Sequence, residues 1–210
     1  MKRTKGLAGV GLGAVAASLA VASSAAALVI IGTDGDDHII GSRSSDYIAA
    51  KAGDDKVHAL GGPDGVRAGD GNDGVDLGAG RDRAAGGPGD DRMAGGPDPD
   101  LIYAMAGVDE VAGQAGGDSL WALIRSDVPL EGADSLDGGP GNDRLHARDG
   151  EADQITCGEG RDRALLDDLD VITDASTANP NGSCEHVRRA PVDPADEEPE
   201  LDPDVRHPKR

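Results

Sequence analysis

The chain has 210 residues and a formal net charge of −20, with 33 glycines and no phenylalanine. One tryptophan and two tyrosines cannot build an ordinary core, so the chain is either disordered or has a narrow interior of small residues. The charge excludes a nucleic-acid partner, because affinity for phosphate depends on cationic side chains. It also opposes compaction unless a cation offsets it.

The first segment, residues 1–27, has the pattern of a secretory signal peptide. A basic start, MKRTK, precedes an Ala/Gly/Val/Leu stretch, and an Ala-Ala-Ala triplet ends the segment. We expect cleavage near Ala27, which predicts a secreted, extracellular protein or one associated with the cell surface. The alternative is an uncleaved anchor, because the apolar run over residues 7–31 is long enough to span a membrane.

A nine-residue repeat occupies residues 28–165. Aspartate recurs at every ninth position, an apolar residue follows two positions later, and glycine usually comes two positions earlier. After Asp127 the frame shifts, and four further units follow. With the aspartate numbered sixth and the apolar residue eighth, fourteen units are recognisable. Their aspartates are Asp37, Asp46, Asp55, Asp64, Asp73, Asp82, Asp91, Asp100, Asp109, Asp118, Asp134, Asp143, Asp153 and Asp162.

This pattern predicts an all-β fold, a parallel β-roll in the form of a right-handed β-solenoid with two repeats per turn. Glycines let each loop adopt backbone angles that other residues avoid. Each loop leads into a three-residue strand, whose eighth-position side chain points inward because strand side chains alternate. Such a short strand is stable only when its backbone pairs with the strands above and below. Fourteen units correspond to about seven turns.

Stacked turns bring equivalent loops to within about 5 Å of one another. The aspartates then form two columns, one along each edge of the roll, and their carboxylates repel one another. Oxygen ligands at this density suit Ca²⁺, which binds carboxylates and backbone carbonyls. The alternative is a disordered Gly/Asp-rich tract with solvated charges, against which the regular apolar eighth positions argue.

Two units, GGPGDDRMA at 86–94 and GGPGNDRLH at 138–146, match the nonapeptide G-G-x-G-x-D-x-U-x, where U is apolar. The chain resembles the RTX, or hemolysin-type, calcium-binding repeat family over residues 32–165. The resemblance implies that Ca²⁺ ions lie between the loops of successive turns, bound by the fourteen aspartates and by loop carbonyls. The implied carbonyl ligands come from Gly69, Gly71, Gly78, Gly80, Gly87, Gly89, Gly96, Gly139 and Gly141.

Several units depart from this pattern at the second loop position. That position is glycine in the units with the implied carbonyl ligands, but it is Lys51, Leu60, Met105 or Gln114 elsewhere. A carbonyl ligand tolerates any side chain, whereas an unusual backbone angle does not. We therefore expect the strongest sites between residues 69 and 100 and around 138–146, with weaker early and late units.

Two cysteines mark the end of the repeat. In an exported chain, Cys157 and Cys184 are expected to form a disulfide. It would close a loop of about 28 residues and contribute about 3 kcal/mol. Two buried free thiols are the alternative. Because the nonapeptide is lost after residue 165, we predict a disulfide-linked cap over 166–189. The Pro- and acid-rich tail, 190–210, is predicted to be disordered.

One four-residue motif in the sequence predicts a different function. Residues 117–120 spell GDSL, the signature of esterases and lipases in which the serine, here Ser119, is the nucleophile. Asp-x-x-His pairs that could complete a triad occur at Asp143/His146 and Asp204/His207. The nine-residue repeat accounts for the same four residues without catalysis, because Ser119 occupies the outward-facing seventh position of its unit. About 90 residues follow it, too few for the expected α/β domain, and we expect no catalytic residue.

The sequence therefore predicts a secreted, non-catalytic protein that binds several structural Ca²⁺ ions. No small-molecule substrate is evident, no nucleic acid is expected, and the chain should be a monomer. The alternative in a different class is an adhesion or spacer module at the cell surface or in the matrix, with the rod as its binding face.

Overall fold

A computed structural model describes residues 26–122, 132–179 and 181–191. Nearly all of the predicted signal segment, and the predicted tail from residue 192 onward, lie outside the described residues. Every regular element in the described ranges is a β-strand. None of these residues belongs to a helix long and apolar enough to cross a membrane.

Nineteen strands are present in the described ranges, most of them three to six residues long. In chain order they are β1 Val29–Ile31, β2 His38–Ile40, β3 Tyr47–Ala52, β4 Lys56–His58, β5 Gly65–Asp70, β6 Gly74–Asp76, β7 Arg83–Pro88, β8 Arg92–Pro97, β9 Leu101–Ala106, β10 Glu110–Ala115, β11 Ser119–Trp121, β12 Ser135–Asp137, β13 Pro140–Gly141, β14 Arg144–Ala147, β15 Gln154–Thr156, β16 Glu159–Gly160, β17 Arg163–Leu166, β18 Val171–Ile172 and β19 His186–Arg189.

The strands form two long parallel sheets. One sheet has nine strands in the order β1-β3-β5-β7-β9-β11-β14-β17-β19, and the other has eight in the order β2-β4-β6-β8-β10-β12-β15-β18. A short third sheet pairs β13 with β16. Ile48 lies opposite Val66, and Val57 opposite Val75, so one turn takes 18 residues, or two units. The predicted β-roll is confirmed, with about eight turns because β1, β18 and β19 extend the sheets.

The roll is continuous across the irregular segment after residue 122. Strand β10 pairs with β12, and β11 pairs with β14, which places Val111 opposite Leu136 and Leu120 opposite Leu145. This turn is therefore seven residues longer than a regular one. Residues 123–131, including Asp127, are outside the described residues. The extra length lets the sheets keep their register although the sequence frame shifts.

The core is a narrow stack of small and medium side chains. All fourteen eighth-position residues are buried, as the repeat predicts: Ile39, Ile48, Val57, Val66, Val75, Ala84, Met93, Ile102, Val111, Leu120, Leu136, Leu145, Ile155 and Ala164. A second buried row, which the sequence analysis did not identify, comes from first positions: Ala50, Ala59, Ala68, Leu77, Ala104 and Cys157. Two facing rows of this size leave no room for a phenylalanine.

The C-terminal segment adds strands to both sheets. Strand β18 pairs with β15, and β19 pairs with β17. A disulfide joins Cys157 to Cys184, so the predicted bridge is confirmed and the alternative of two free thiols is wrong. The predicted division of the chain at residue 165 stays a prediction. The strands of residues 166–189 belong to the same sheets as the repeat.

Candidate metal sites along the edges of the roll

The sixth-position aspartates occupy equivalent buried places in successive turns. All fourteen are at most 6% exposed. In all of them except Asp37, one carboxylate oxygen accepts the backbone N–H of the aspartate one turn earlier, or of Leu28 in the case of Asp46. Asp73 N–H donates to Asp91 Oδ1 at 2.8 Å, for example, and Asp91 N–H donates to Asp109 Oδ1 at 2.8 Å. Each of these carboxylates therefore links its loop to the loop before it.

These hydrogen bonds connect the aspartates into two columns. The first contains Asp37, Asp55, Asp73, Asp91, Asp109, Asp134, Asp153 and Asp170. The second contains Asp46, Asp64, Asp82, Asp100, Asp118, Asp143 and Asp162. The structure thus brings the predicted ligands together in the two predicted columns, and it adds Asp170 to the first. Whether they bind metal stays a prediction at this point.

The second carboxylate oxygen, Oδ2, has no hydrogen-bond partner in most units. Within the described residues it is buried and unpartnered in Asp55, Asp64, Asp73, Asp82, Asp91, Asp100, Asp109, Asp118, Asp143, Asp153 and Asp162. A buried anionic oxygen without a donor or a cation is costly, and such groups bind a proton or a positive ion instead. The repeated unpartnered oxygen therefore indicates a missing positive partner.

The raised pKa values of these carboxyl groups also indicate that each needs a proton or a cation. Burial raises the pKa of Asp91 to about 8, against the hydrogen bond from Asp73 N–H that lowers it. Burial, together with the charges of neighbouring aspartates, raises the pKa of Asp100 to about 7 and that of Asp134 to about 8. Near neutral pH, these sites need either protons or a metal cation.

Backbone carbonyls lie beside the unpartnered oxygens. A Cβ atom on Gly95 would lie 2.6 Å from Asp100 Oδ2 and 2.6 Å from the carbonyl oxygen of Gly113, one turn later. The same position on Gly113 would lie 2.6 Å from Asp118 Oδ2 and 2.7 Å from the Gly138 carbonyl oxygen. A carboxylate and a carbonyl therefore converge on one small space between turns. These hard oxygen donors are the set that Ca²⁺ uses.

Second-position residues hold the loops in a left-handed conformation. The φ angle is 123° at Gly69 and 126° at Gly87, and it is 93° at Lys51 and 90° at Met105. Units without glycine therefore keep the same loop, at a cost of about 1–2 kcal/mol for each side chain in this region. The predicted carbonyl ligands at Gly71, Gly78, Gly80, Gly89, Gly96 and Gly139 also have positive φ, whereas Gly141 does not.

In the first two units, unlike the central ones, the protein itself donates hydrogen bonds to the aspartate Oδ2 atom. Thr33 donates its backbone N–H to Asp37 Oδ2 at 2.6 Å and its hydroxyl to the same oxygen at 3.0 Å. Ser42 donates its backbone N–H to Asp46 Oδ2 at 2.6 Å and its hydroxyl to Oδ1 at 3.0 Å. Both aspartates were predicted as ligands. Protein donors already occupy the oxygen that is free in the central units, so the support for metal is weakest here.

The C-terminal end also supplies protein partners. Asp170 Oδ2 accepts the backbone N–H of Asp167 at 2.7 Å, and Glu185 Oε2 accepts the backbone N–H of Asp162 at 2.7 Å. Glu185 therefore replaces the next aspartate of the second column. The sequence analysis missed Glu185, although an apolar residue, Val187, follows it at the repeat spacing.

A third column, on the surface, was also missed. It is formed by fifth-position residues, each of which accepts the backbone N–H of the residue one turn later. Asn72 N–H donates to Asp54 Oδ1 at 2.9 Å, and Asp90 N–H donates to Asn72 Oδ1 at 2.8 Å. The Asp or Asn immediately before the sixth-position aspartate is visible in the sequence and could have identified this column.

The residues of the GDSL hypothesis do not assemble into a triad. Ser119 begins β11 and lies opposite Arg144, while the His146 ring stacks on Trp121 with centroids 3.7 Å apart. Asp143 Oδ1 accepts the backbone N–H of Asp118. In the part of the chain that the structure describes, no hydrogen bond joins Ser119 to Asp143 or His146, and the pair at 204 and 207 lies outside that part.

Comparison with known proteins agrees with this geometry. The family model of the RTX calcium-binding nonapeptide repeat matches in four copies, over residues 29–57, 52–84, 85–120 and 130–164, which together cover more than half of the chain. A comparison with curated proteins found no match. The chain belongs to the RTX calcium-binding nonapeptide repeat family.

Proposed function

We propose that this protein is a non-catalytic β-roll that binds several structural Ca²⁺ ions between its turns. The ions would be held by the sixth-position aspartates of the central units together with loop carbonyls. Binding would supply folding free energy, because the site exists only when successive turns are stacked. The chain would then fold where calcium is plentiful and stay open where calcium is scarce.

One observation carries this proposal. In the described residues, eleven of the sixth-position aspartates have a buried carboxylate oxygen, Oδ2, without a hydrogen-bond partner. Each of these oxygens belongs to a carboxylate whose other oxygen is fixed by a backbone N–H from the neighbouring turn, so the unpartnered oxygens recur with the repeat. A repeated demand for a positive partner, next to carbonyl oxygens, fits a hard divalent cation better than isolated charges on a surface.

Far-UV circular dichroism of the mature chain tests the proposal. Calcium-free protein is titrated with Ca²⁺ and, in a matched series, with Mg²⁺. We expect a cooperative change to a β spectrum with Ca²⁺ and little change with Mg²⁺, which prefers rigid octahedral geometry and keeps its waters. A β spectrum that is unaffected by chelator and by both ions would refute the proposal.

We also infer that the protein is exported through the N-terminal segment. The basic start followed by an apolar stretch supports this inference, and so does the disulfide, since such bonds persist in oxidising compartments. N-terminal sequencing of the protein recovered from the medium should find a start near residue 28. Recovery only from membranes, with the segment intact, would instead favour the anchor. The adhesion or spacer role stays a prediction.

The absence of catalysis is part of the proposal and has its own test. The roll gives Ser119 no histidine partner in the described residues, which supports a non-catalytic role. We expect wild type and Ser119→Ala to show the same background hydrolysis of a short-chain p-nitrophenyl ester. Turnover by the wild type that is lost in the variant would contradict this expectation.

A further inference from the structure

One loop of the roll differs from the others in its side chains. The unit at 148–156 reads RDGEADQIT, which places Asp149 and Glu151 at the second and fourth positions, where the regular nonapeptide has glycine. Ala147 is an additional residue before this unit. The loop lies in the first column, where Asp134 N–H donates to Asp153 Oδ1 at 2.8 Å.

Glu151 points toward the two column aspartates beside it. Asp134, Glu151 and Asp153 each offer one carboxylate oxygen, and these three atoms lie within 4.8 Å of one another. Calcium–oxygen distances are about 2.3–2.6 Å, so oxygens on opposite sides of one ion are about 5 Å apart. The three carboxylates therefore have the spacing of a single coordination shell.

The burial of these residues shows that the group requires a partner. Asp134, Glu151 and Asp153 are all buried, and Asp153 is fully so. Asp153 Oδ2 has no hydrogen-bond partner within the described residues, although its carboxylate faces the cluster. The one hydrogen bond that Glu151 Oε1 accepts from the described part of the chain is long, 3.2 Å, and comes from Gly132 N–H. An exposed cluster of acids would be solvated, whereas this one lies inside the loop layer.

The surrounding charge increases the demand for a cation. The carboxylates of Asp149, Asp134 and Asp170 are near enough to act electrostatically on Asp153, which is itself fully buried. Asp149 Oδ2 is also buried without a hydrogen-bond partner in the described ranges. Three carboxylates in one shell, with a fourth close by, attract a divalent ion more strongly than the aspartates of a regular unit do.

We propose that Glu151 supplies a third carboxylate to a Ca²⁺ site between Asp134 and Asp153, and that this site binds calcium more tightly than the regular sites of the roll. The inference rests on the proposed function, because it assumes that the roll binds calcium. It goes further by assigning a ligand outside the nonapeptide pattern and by ranking the sites. The number of charged ligands is one of the main determinants of calcium affinity in proteins.

Calorimetric titration of the full calcium-stripped chain tests this ranking. Three proteins are compared: the wild type, Glu151→Gln and Glu159→Gln. The control removes the same charge from an exposed residue in the next unit. We expect the affinity of the tightest site to fall at least about tenfold in Glu151→Gln and to remain unchanged in Glu159→Gln. Equal affinities in all three proteins would overturn the inference and leave the proposed function intact, whereas a wild type that binds no calcium would refute both.

Thermal unfolding separates a ligand from a merely structural residue. If Glu151 binds calcium, Glu151→Gln lowers Tm in calcium but not in chelator, where it removes a repelling charge. A drop in Tm under both conditions would mean that the hydrogen bond to Gly132 is the role of Glu151, and it would overturn the inference. Glu151→Gly, which restores the glycine of a regular fourth position, provides a second variant and should lose the same tight site.

Discussion

The first two units and the central units of the roll have a buried aspartate at the same position of the repeat. The carboxylate oxygens of these aspartates differ in their hydrogen-bond partners. Asp46 accepts hydrogen bonds on both carboxylate oxygens, from Leu28 N–H and from Ser42. Asp37 accepts two on Oδ2, both from Thr33. Among the described residues, Asp91 and its central equivalents accept one hydrogen bond on Oδ1 and none on Oδ2. A threonine or serine at the second position is thus the local alternative to a cation.

Under the proposed function, this difference shows how the two ends of the roll are stabilised without metal. Within the described residues, an end turn has a neighbouring turn on one side only. At the N-terminal end, side-chain hydroxyls and backbone N–H groups supply the positive partners. At the C-terminal end, Glu185 and Asp170 continue the columns, and the disulfide holds the last strands. Under the proposed function, hydrogen bonds and a covalent bond at the two described ends take the place that metal has in the central turns.

The largest expected effect is that of pH on the metal-free centre. The pKa is raised to about 7 for Asp64 and Asp100 and to about 8 for Asp91, from an ordinary value of 3.8, mainly by burial. The folded chain therefore binds more protons than the unfolded chain between these values, so its stability in chelator falls as the pH rises through this range. Circular dichroism in chelator should show more β structure near pH 5 than near pH 8.

Calcium should reverse this dependence, because protons compete with the metal for the same oxygens. In excess calcium, stability should be greatest near pH 8 and decrease as the pH is lowered. Identical pH profiles with and without calcium would mean that the central aspartates do not bind the metal.

The disulfide should contribute the next largest effect, and it should act on the C-terminal end alone. Cys157 and Cys184 are 27 residues apart in sequence. Cys157→Ala/Cys184→Ala should lower the free energy of unfolding by about 3 kcal/mol, because the open chain gains conformational freedom. Urea unfolding should show the loss both in calcium and in chelator. A loss seen only in calcium would indicate that the bridge supports a metal site instead.

A pair of matched variants tests the comparison between the end and the centre directly. In Asp46→Asn, an amide replaces a carboxylate whose two oxygens both accept hydrogen bonds, so stability should fall by about 1–3 kcal/mol with or without calcium. In Asp91→Asn, Oδ1 can still accept the N–H of Asp73, and only the unpartnered oxygen is lost. Its stability should fall in calcium and stay equal or rise in chelator, as measured by urea unfolding.

These two variants are each other's control. If Asp91→Asn were destabilised equally under both conditions, its carboxylate would have a structural role like that of Asp46. If Asp46→Asn lost stability only in calcium, the first units would bind metal despite their hydrogen bonds.

The smallest effect concerns the strained second position. Lys51 is exposed and has a φ of 93°, whereas the next turn has glycine, Gly69, at the equivalent place. Lys51→Gly should stabilise the calcium-bound roll by about 0.5–1 kcal/mol, after the greater freedom of glycine in the unfolded chain is subtracted from the relieved strain. Thermal unfolding can resolve this change. A lower Tm would show that the Lys51 side chain makes a favourable contact larger than the strain.

Much of the fold follows from the sequence because one periodic pattern determines both core and register. The eighth-position residues and the two columns of aspartates were predicted residue by residue. The hydroxyl donors at Thr33 and Ser42 were not, because they depend on side-chain contacts within a single loop. Glu151 was also missed, since a repeat pattern treats a departure as a weaker unit. The second apolar row was missed because alanine and glycine share its positions.

The structure of the calcium-bound protein, with the ions located by anomalous scattering, tests the central claim most directly. The ions should lie beside the Oδ2 atoms of the central aspartates, such as Asp91 and Asp100, and none should lie beside Asp37 or Asp46. Ions at Asp37 and Asp46, or a central roll without ions in crystals grown in millimolar calcium, would contradict the claim that unpartnered carboxylate oxygens determine where this protein binds metal.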